Sequence, residues 1–174
     1  MEATAVHEAS GAESGVSVKS KVYIETSIPS YLAARRSQDV RVLANQETTT
    51  EWWENRRTHF DLFISEFVLA EAALGDPAAA QKRLYILRDI IVLDSTDDVR
   101  ELGSALIAQG PIPPQAAIDA LHIAIAAVNG MEYLLTWNCT HIANAVMRPK
   151  IEGVCRSKGY EPPVICTPLE LMEE

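Results

Sequence analysis

Short β-prone runs alternate with longer helical patterns along most of this 174-residue chain. The predicted strands are residues 21–25, 61–65, 90–94, 133–136 and 164–166. The helical patterns cover residues 30–36, 40–59, 66–74, 77–87, 97–109, 115–128 and 143–158. Such alternation predicts a parallel sheet, because each parallel crossover needs a connecting element on a face of the sheet. We therefore expect one α/β domain with a central, mostly parallel sheet of about five strands flanked by helices.

Composition shifts mark the expected boundaries of this domain. Residues 1–19 are rich in Ala, Ser, Gly and Glu without periodicity, so we interpret them as a flexible N-terminal leader and assign residues 20–174 to the domain. Gly110 is followed by three prolines within four residues, which ends one predicted helix. The segment Thr167-Pro168-Leu169-Glu170 has the residues of a helix start and predicts a short final helix.

Charge and composition limit the class of protein. With 15 basic and 24 acidic residues the net charge is −9, which argues against a general nucleic-acid coat but allows an enzyme with one metal-loaded cleft. No apolar run reaches the roughly 20 residues of a membrane span, and the N-terminus lacks the apolar core of a signal peptide. Three cysteines without CxxC spacing predict neither a disulfide framework nor a zinc site. We therefore expect a cytoplasmic protein.

One carboxylate, Asp119, lies within an almost wholly apolar helical stretch, residues 117–128. Aspartate is rarely buried, because removing an unpaired carboxylate from water costs free energy. A buried Asp119 therefore needs a cation, a metal or hydrogen bonds. The alternative is that Asp119 opens the helix beside solvent and caps it, since Pro113 and Pro114 lie close before it.

Four oxygen-bearing side chains fall at or near the ends of predicted strands, namely Glu25, Glu71, Asp119 and Asn138. In open α/β sheets, ligands bind outside the carboxyl ends of the strands. Converging carboxylates repel each other, and a divalent cation removes that repulsion. All-oxygen ligands suit Mg²⁺ or Mn²⁺, which bind phosphate oxygens and activate water for in-line attack. The residues therefore predict metal-assisted phosphodiester hydrolysis.

The order of these segments resembles that of the PIN domain, in particular the VapC-like toxins of type II toxin–antitoxin systems. The matching motifs are Glu25-Thr26-Ser27, Glu71, Asp119-Ala120 and Thr136-Trp137-Asn138. The resemblance implies a PIN-like fold and a Mg²⁺- or Mn²⁺-dependent endoribonuclease acting on RNA. It further implies catalytic and metal-binding roles for the four oxygen-bearing residues, a homodimer, and inhibition by a small antitoxin protein.

Two positions depart from the family pattern. Glu25 is one methylene longer than the usual Asp, and Asn138 replaces an acid, which weakens metal affinity. One alternative is therefore a non-catalytic PIN-like binding module with a degenerate acidic site. Another is a different α/β phosphohydrolase that acts on small phosphate esters.

Each candidate acid also has an ordinary structural interpretation. Glu25 can cap the helix that follows it, and Asn138 suits a loop or cap. Glu66 is an alternative candidate to Glu71 for the site, but it lies in the first helical turn, where the helix dipole stabilises an acid. Three hydroxyls beside these residues suit either a phosphate contact or a turn, namely those of Thr26, Ser27 and Thr136.

Two histidines follow the candidate residues at helical spacing. His122 comes three residues after Asp119 and so shares its helical face, where it could orient the carboxylate. We favour a core histidine with a satisfied hydrogen bond. His141 comes three residues after Asn138, and we expect it at most to contact a site residue rather than to bind the metal or substrate itself.

Overall fold

Five strands and seven α-helices alternate within residues 18–110 and 112–172, which the computed structural model describes. The strands are β1 (Lys21–Ile24), β2 (Asp61–Ser65), β3 (Ile91–Leu93), β4 (Tyr133–Leu135) and β5 (Val164–Cys166). The helices are α1 (Ser27–Ala33), α2 (Val40–Asn55), α3 (Glu66–Ala72), α4 (Pro77–Leu87), α5 (Asp97–Ala108), α6 (Ala117–Val128) and α7 (Arg148–Ser157). Most of the predicted leader, residues 1–17, lies outside the described residues, as do Pro111 and residues 173–174.

The five strands form one sheet in the order β3-β2-β1-β4-β5, and every neighbouring pair is parallel. The first strand is central, with Tyr23 opposite Phe63 of β2 and Leu134 of β4. Because parallel strands end at the same edge, the residues that follow β1, β2 and β4 meet there. The sheet confirms the predicted α/β class.

Helices cover the sheet, and this explains the unbroken apolar runs of its strands. All three inner residues of β1, Val22, Tyr23 and Ile24, are fully buried. Helix α6 is buried over most of its length, and α5 packs closely against it at Gly103. A Cβ on Gly103 would lie 3.0 Å from Leu121 Cδ2, so a larger residue would require the Leu121 side chain to shift. No helix among the described residues is long and apolar enough to cross a membrane.

Several predicted helices differ in the structure. The pattern over residues 30–36 is α1 at Ser27–Ala33, and the pattern over residues 143–158 is α7, which begins only at Arg148. The pattern over residues 40–59 is α2 up to Asn55, followed by a 3₁₀ turn over Arg57–His59. The predicted final helix is wrong, because the segment after Thr167 forms turns. Glu170 Oε2 does accept the Thr167 N–H at 2.8 Å, as in a helix start. The next residue, Leu171, is instead buried, and its carbonyl accepts the Trp52 indole N–H at 3.1 Å.

Candidate metal centre

The predicted site residues lie around the carboxyl end of the central strand. Glu25 directly follows β1, and Glu71 lies on α3, which follows β2. Asp119 lies in the first turn of α6, and Asn138 follows β4. Hydrogen bonds through Thr136 and His141 connect Glu25, Asn138 and Asp119, whereas Glu71 bonds separately to Thr26 and His122.

Glu25 is 6% exposed, and its two oxygens have different surroundings. Oε2 accepts hydrogen bonds from the Ser27 N–H at 3.1 Å, the Ser27 hydroxyl at 2.5 Å and the Thr136 hydroxyl at 2.7 Å. Within the described residues, Oε1 accepts none. The interpretation of Glu25 as a helix cap therefore applies to one oxygen only, and the other remains available to a ligand.

The two carboxylate oxygens of Glu71 also have different surroundings. Its Oε2 accepts the Thr26 hydroxyl at 2.5 Å and the His122 Nε2–H at 2.9 Å, whereas Oε1 has no partner in the described part of the chain. Burial acts to raise the pKa of Glu71, but the hydrogen bonds from His122 and Thr26 and the charge interaction with His122 together lower it. Glu71 is therefore ionised at neutral pH.

Behind Glu71 lies a buried relay, formed by His122, Tyr23 and Ser65. His122 is fully buried, and its Nδ1 lies 2.7 Å from the Tyr23 hydroxyl, which lies 2.7 Å from Ser65 Oγ. Ser65 also accepts the Val68 N–H at the start of α3. Burial raises the pKa of Tyr23 far above its ordinary range, so its hydroxyl stays neutral. His122 is thus the predicted core histidine with satisfied hydrogen bonds, and its carboxylate partner is Glu71 rather than Asp119.

Asp119 pairs with the second histidine. Its Oδ2 lies 2.8 Å from His141 Nδ1, and the two side chains are 18% and 30% exposed. The His141 N–H donates to Asn138 Oδ1 at 3.2 Å. Among the described residues, Asp119 makes no capping hydrogen bond to α6, so a histidine side chain is the partner that the apolar helix required.

The donor chemistry of the cluster suits a hard cation. Within residues 18–110 and 112–172, the candidate ligand atoms of Glu25, Glu71 and His122 all lie within 4.8 Å of one another. Asp119 is not in this group and is connected to it through Asn138, whose N–H donates to the Thr136 hydroxyl at 2.9 Å. Two carboxylates with one unpaired oxygen each are the ligands that Mg²⁺ or Mn²⁺ prefers.

Sequence reasoning did not identify Tyr23 as part of this arrangement. The signal was present, since Tyr23 carries the one hydroxyl in the buried Val22–Ile24 run and a buried tyrosine hydroxyl usually needs a partner. The three hydroxyls of Thr26, Ser27 and Thr136, by contrast, were noted, and each donates to a carboxylate.

Comparisons with known proteins place the fold. No family model and no curated protein matches the sequence. Among solved structures, the chain is similar to VapC20 of Mycobacterium tuberculosis, a sarcin–ricin loop cleaving toxin, with a TM-score of 0.54 and 18% identity over 71% of this chain and 95% of that one. VapBC2 of Rickettsia felis, bound to a promoter DNA fragment, gives a TM-score of 0.48 and 18% identity over 84% and 98% of the two chains. The first likeness confirms the PIN-like fold that the sequence resemblance implies.

Proposed function

From the fold of a VapC-type PIN domain, we propose that this protein is a Mg²⁺- or Mn²⁺-dependent endoribonuclease. The observation that carries the proposal is the pair of carboxylates, Glu25 and Glu71, with ligand atoms within 4.8 Å of each other. Converging carboxylates repel each other, and a divalent cation removes that repulsion and attracts the oxygens of a phosphodiester.

The proposed roles differ among the four predicted residues. Glu25 and Glu71 would hold the cation through the oxygens that carry no hydrogen bond among the described residues. Asp119 would add a third carboxylate, with one oxygen already held by His141. Asn138 is the weakest ligand, because its amide oxygen is uncharged and already accepts the His141 N–H. The assignment of all four to catalysis and metal binding remains a prediction.

The chain's own side chains fix the site before substrate arrives. Ser27 and Thr136 hold Glu25 in one orientation, and Thr26 and His122 hold Glu71. A bound cation would supply positive charge that stabilises the negative charge developing on the phosphate during attack. Fixed ligands avoid the free-energy cost of reorganisation during the reaction.

The test is cleavage of RNA by the purified protein with Mn²⁺ or Mg²⁺. Suitable substrates are an unstructured RNA and a sarcin–ricin loop hairpin, the RNA element named for VapC20. We expect Glu25→Gln, Glu71→Gln and Asp119→Asn each to reduce cleavage by at least roughly 10- to 100-fold, the loss caused even by removing an outer partner of a metal ligand.

Matched controls lie on exposed positions of the same domain. Glu66→Gln changes an exposed acid on α3, the helix of Glu71, and Asp98→Asn changes an exposed acid in the first turn of α5. Both should cleave like the wild type. Cleavage that survives in the Glu25 and Glu71 variants, or that continues with a chelator, would contradict the proposal.

A non-catalytic PIN-like module is the second candidate, and the neutral Asn138 together with the His141-bound Asp119 favours it. This candidate predicts no metal-dependent cleavage and no Mn²⁺ binding by calorimetry. Micromolar Mn²⁺ binding that is lost in Asp119→Ala would exclude it. Activity on a generic phosphomonoester but not on RNA would instead indicate a small-molecule phosphohydrolase.

We further propose a cytoplasmic homodimer that a small antitoxin protein inhibits. The support is an exposed apolar face on α4 and the edge strand β3, where Tyr85, Ile91 and Val92 are 65%, 59% and 44% exposed. Such exposed patches commonly bind protein partners. Light scattering on the purified protein measures the oligomeric state, and Tyr85→Lys tests the face: a partner bound there would be lost.

A further inference from the structure

In the relay behind Glu71, the hydrogen bond to the carboxylate has one possible donor, and that donor is His122. Glu71 Oε2 accepts the Thr26 hydroxyl, and with the same oxygen as acceptor the 2.9 Å contact requires His122 Nε2 to carry the proton. A neutral His122 then uses Nδ1 as an acceptor for the Tyr23 hydroxyl at 2.7 Å. Ser65 can donate in turn to the Tyr23 oxygen at 2.7 Å. A doubly protonated His122 changes the Tyr23 contact but leaves Nε2 a donor to Glu71.

Because its Nε2 donates this hydrogen bond, His122 is not available as a ligand of a cation. One of its ring nitrogens lies within 4.8 Å of the Glu25 and Glu71 ligand atoms, a spacing compatible with a metal ligand. A nitrogen that carries a proton has no lone pair for a metal, and the other nitrogen is held by Tyr23 in the fully buried interior. Ligation would therefore require breaking the partly buried contact with Glu71.

We propose that His122 is a positioning residue: its Nε2–H, fixed by Tyr23 and Ser65, occupies Glu71 Oε2 and leaves a single Glu71 oxygen for a cation. This inference rests on the proposed function, since it concerns the same carboxylate. Thr26 adds a second donor to Oε2, at 2.5 Å. Rotating the carboxylate to present both oxygens would cost both hydrogen bonds.

The consequence is a preference among divalent cations. Ca²⁺ frequently takes carboxylates through both oxygens and accepts irregular geometry, whereas Mg²⁺ demands near-octahedral geometry and retains several waters. Glu25 is restricted like Glu71, because Ser27 and Thr136 occupy its Oε2. Two one-oxygen carboxylates therefore favour Mg²⁺ or Mn²⁺ over Ca²⁺, and His122 contributes to that selection.

Nitrogen NMR of ¹⁵N-histidine-labelled full-length protein tests the donor role without any activity measurement. The His122 signals are assigned by their disappearance in His122→Gln. We expect the Nε2 of His122 to show the shift of a protonated nitrogen, and to keep it when Mg²⁺ is added to saturation. An unprotonated Nε2, or loss of its proton on Mg²⁺ addition, would make His122 a ligand and overturn the inference.

Calorimetry with Mn²⁺ and Ca²⁺ separately tests the effect on cation choice. In His122→Leu, which lacks the donor, the Ca²⁺-to-Mn²⁺ ratio of dissociation constants should shrink roughly tenfold, the lower end of effects seen for outer partners of metal ligands. His122→Gln should preserve the ratio, because its amide can donate to Glu71 and accept from Tyr23. Equal loss in both variants, or no change in either, would refute positioning by this donor.

Failure of this inference is separable from failure of the proposed function. An inactive wild type that nevertheless keeps a protonated Nε2 in Mg²⁺ would remove the ribonuclease proposal alone. An RNA-cleaving wild type whose His122 loses its proton to the metal would remove this inference alone. If His122→Leu fails to fold, the NMR measurement on the wild type still decides.

Discussion

The Tyr23 hydroxyl connects two buried polar atoms, so replacing Tyr23 by phenylalanine tests the relay directly. The ring remains, and the change removes contacts of 2.7 Å to Ser65 Oγ and 2.7 Å to His122 Nδ1. A buried polar atom left without a partner costs about 1–3 kcal/mol. His122 Nδ1 is left without a partner in this way, whereas Ser65 Oγ keeps the 3.4 Å contact from the Val68 N–H. We therefore expect the free energy of unfolding to fall by about 1–3 kcal/mol.

Urea unfolding followed by tryptophan fluorescence and circular dichroism measures this loss. Tyr133→Phe is the matched control, because Tyr133 lies on the neighbouring strand β4 and its hydroxyl has no hydrogen-bond partner within the described residues. It should change stability by less than about 0.5 kcal/mol, as usual away from such contacts. A Tyr23→Phe variant no less stable than this control would refute the relay, as would a Tyr23→Phe and Ser65→Ala double-mutant cycle without coupling.

Three further outcomes follow from the site and the cysteines. Because folding lowers the pKa of Glu71, its contribution is present above the unfolded pKa and is lost as pH falls through the folded one; in metal-free urea titrations, Glu71→Gln should flatten this acid limb. Burial raises the pKa of Cys155 to about 11 and of Cys166 to about 12, so the free energy of unfolding should fall as pH rises above about 9, where only the unfolded thiols ionise. In the native protein, a thiol reagent should label exposed Cys139 alone, as measured by mass spectrometry. Mn²⁺ at 100 times its dissociation constant should stabilise the wild type by about 2.7 kcal/mol in thermal unfolding and leave Glu25→Gln unchanged; equal shifts would contradict binding at Glu25.

The alternation of segments was sufficient to predict the sheet. A strand covered on both faces, such as β1, is a continuous apolar run that few other structures accommodate, so its position is encoded locally. The order β3-β2-β1-β4-β5 is not local, because it depends on which face each crossover helix takes. The prediction of a final helix was wrong for a related reason. The local cap residues are present, but the segment buries Leu171, whose carbonyl accepts the Trp52 indole N–H.

Partners of the two histidines could not be predicted from spacing along one helix. His122 and Asp119 are three residues apart on α6, yet they bond to Glu71 and to His141 respectively. Three residues cover 300° of rotation, so the two side chains diverge by about 60° and meet different elements. Which elements those are depends on tertiary packing that one sequence does not reveal.

The hydrogen bonds around Glu25 also determine when the site can exist during synthesis. Glu25 is held by Thr136, 111 residues later in the chain, through the pairing of the central strand β1 with β4. A nascent chain that has emerged only through α5 carries Glu25 and Glu71 but neither α6 nor β4. Its acids then lack both His122 and Thr136. If the site acts as proposed, it would therefore stay inert on the ribosome until the segment that carries α6 and β4 has been made.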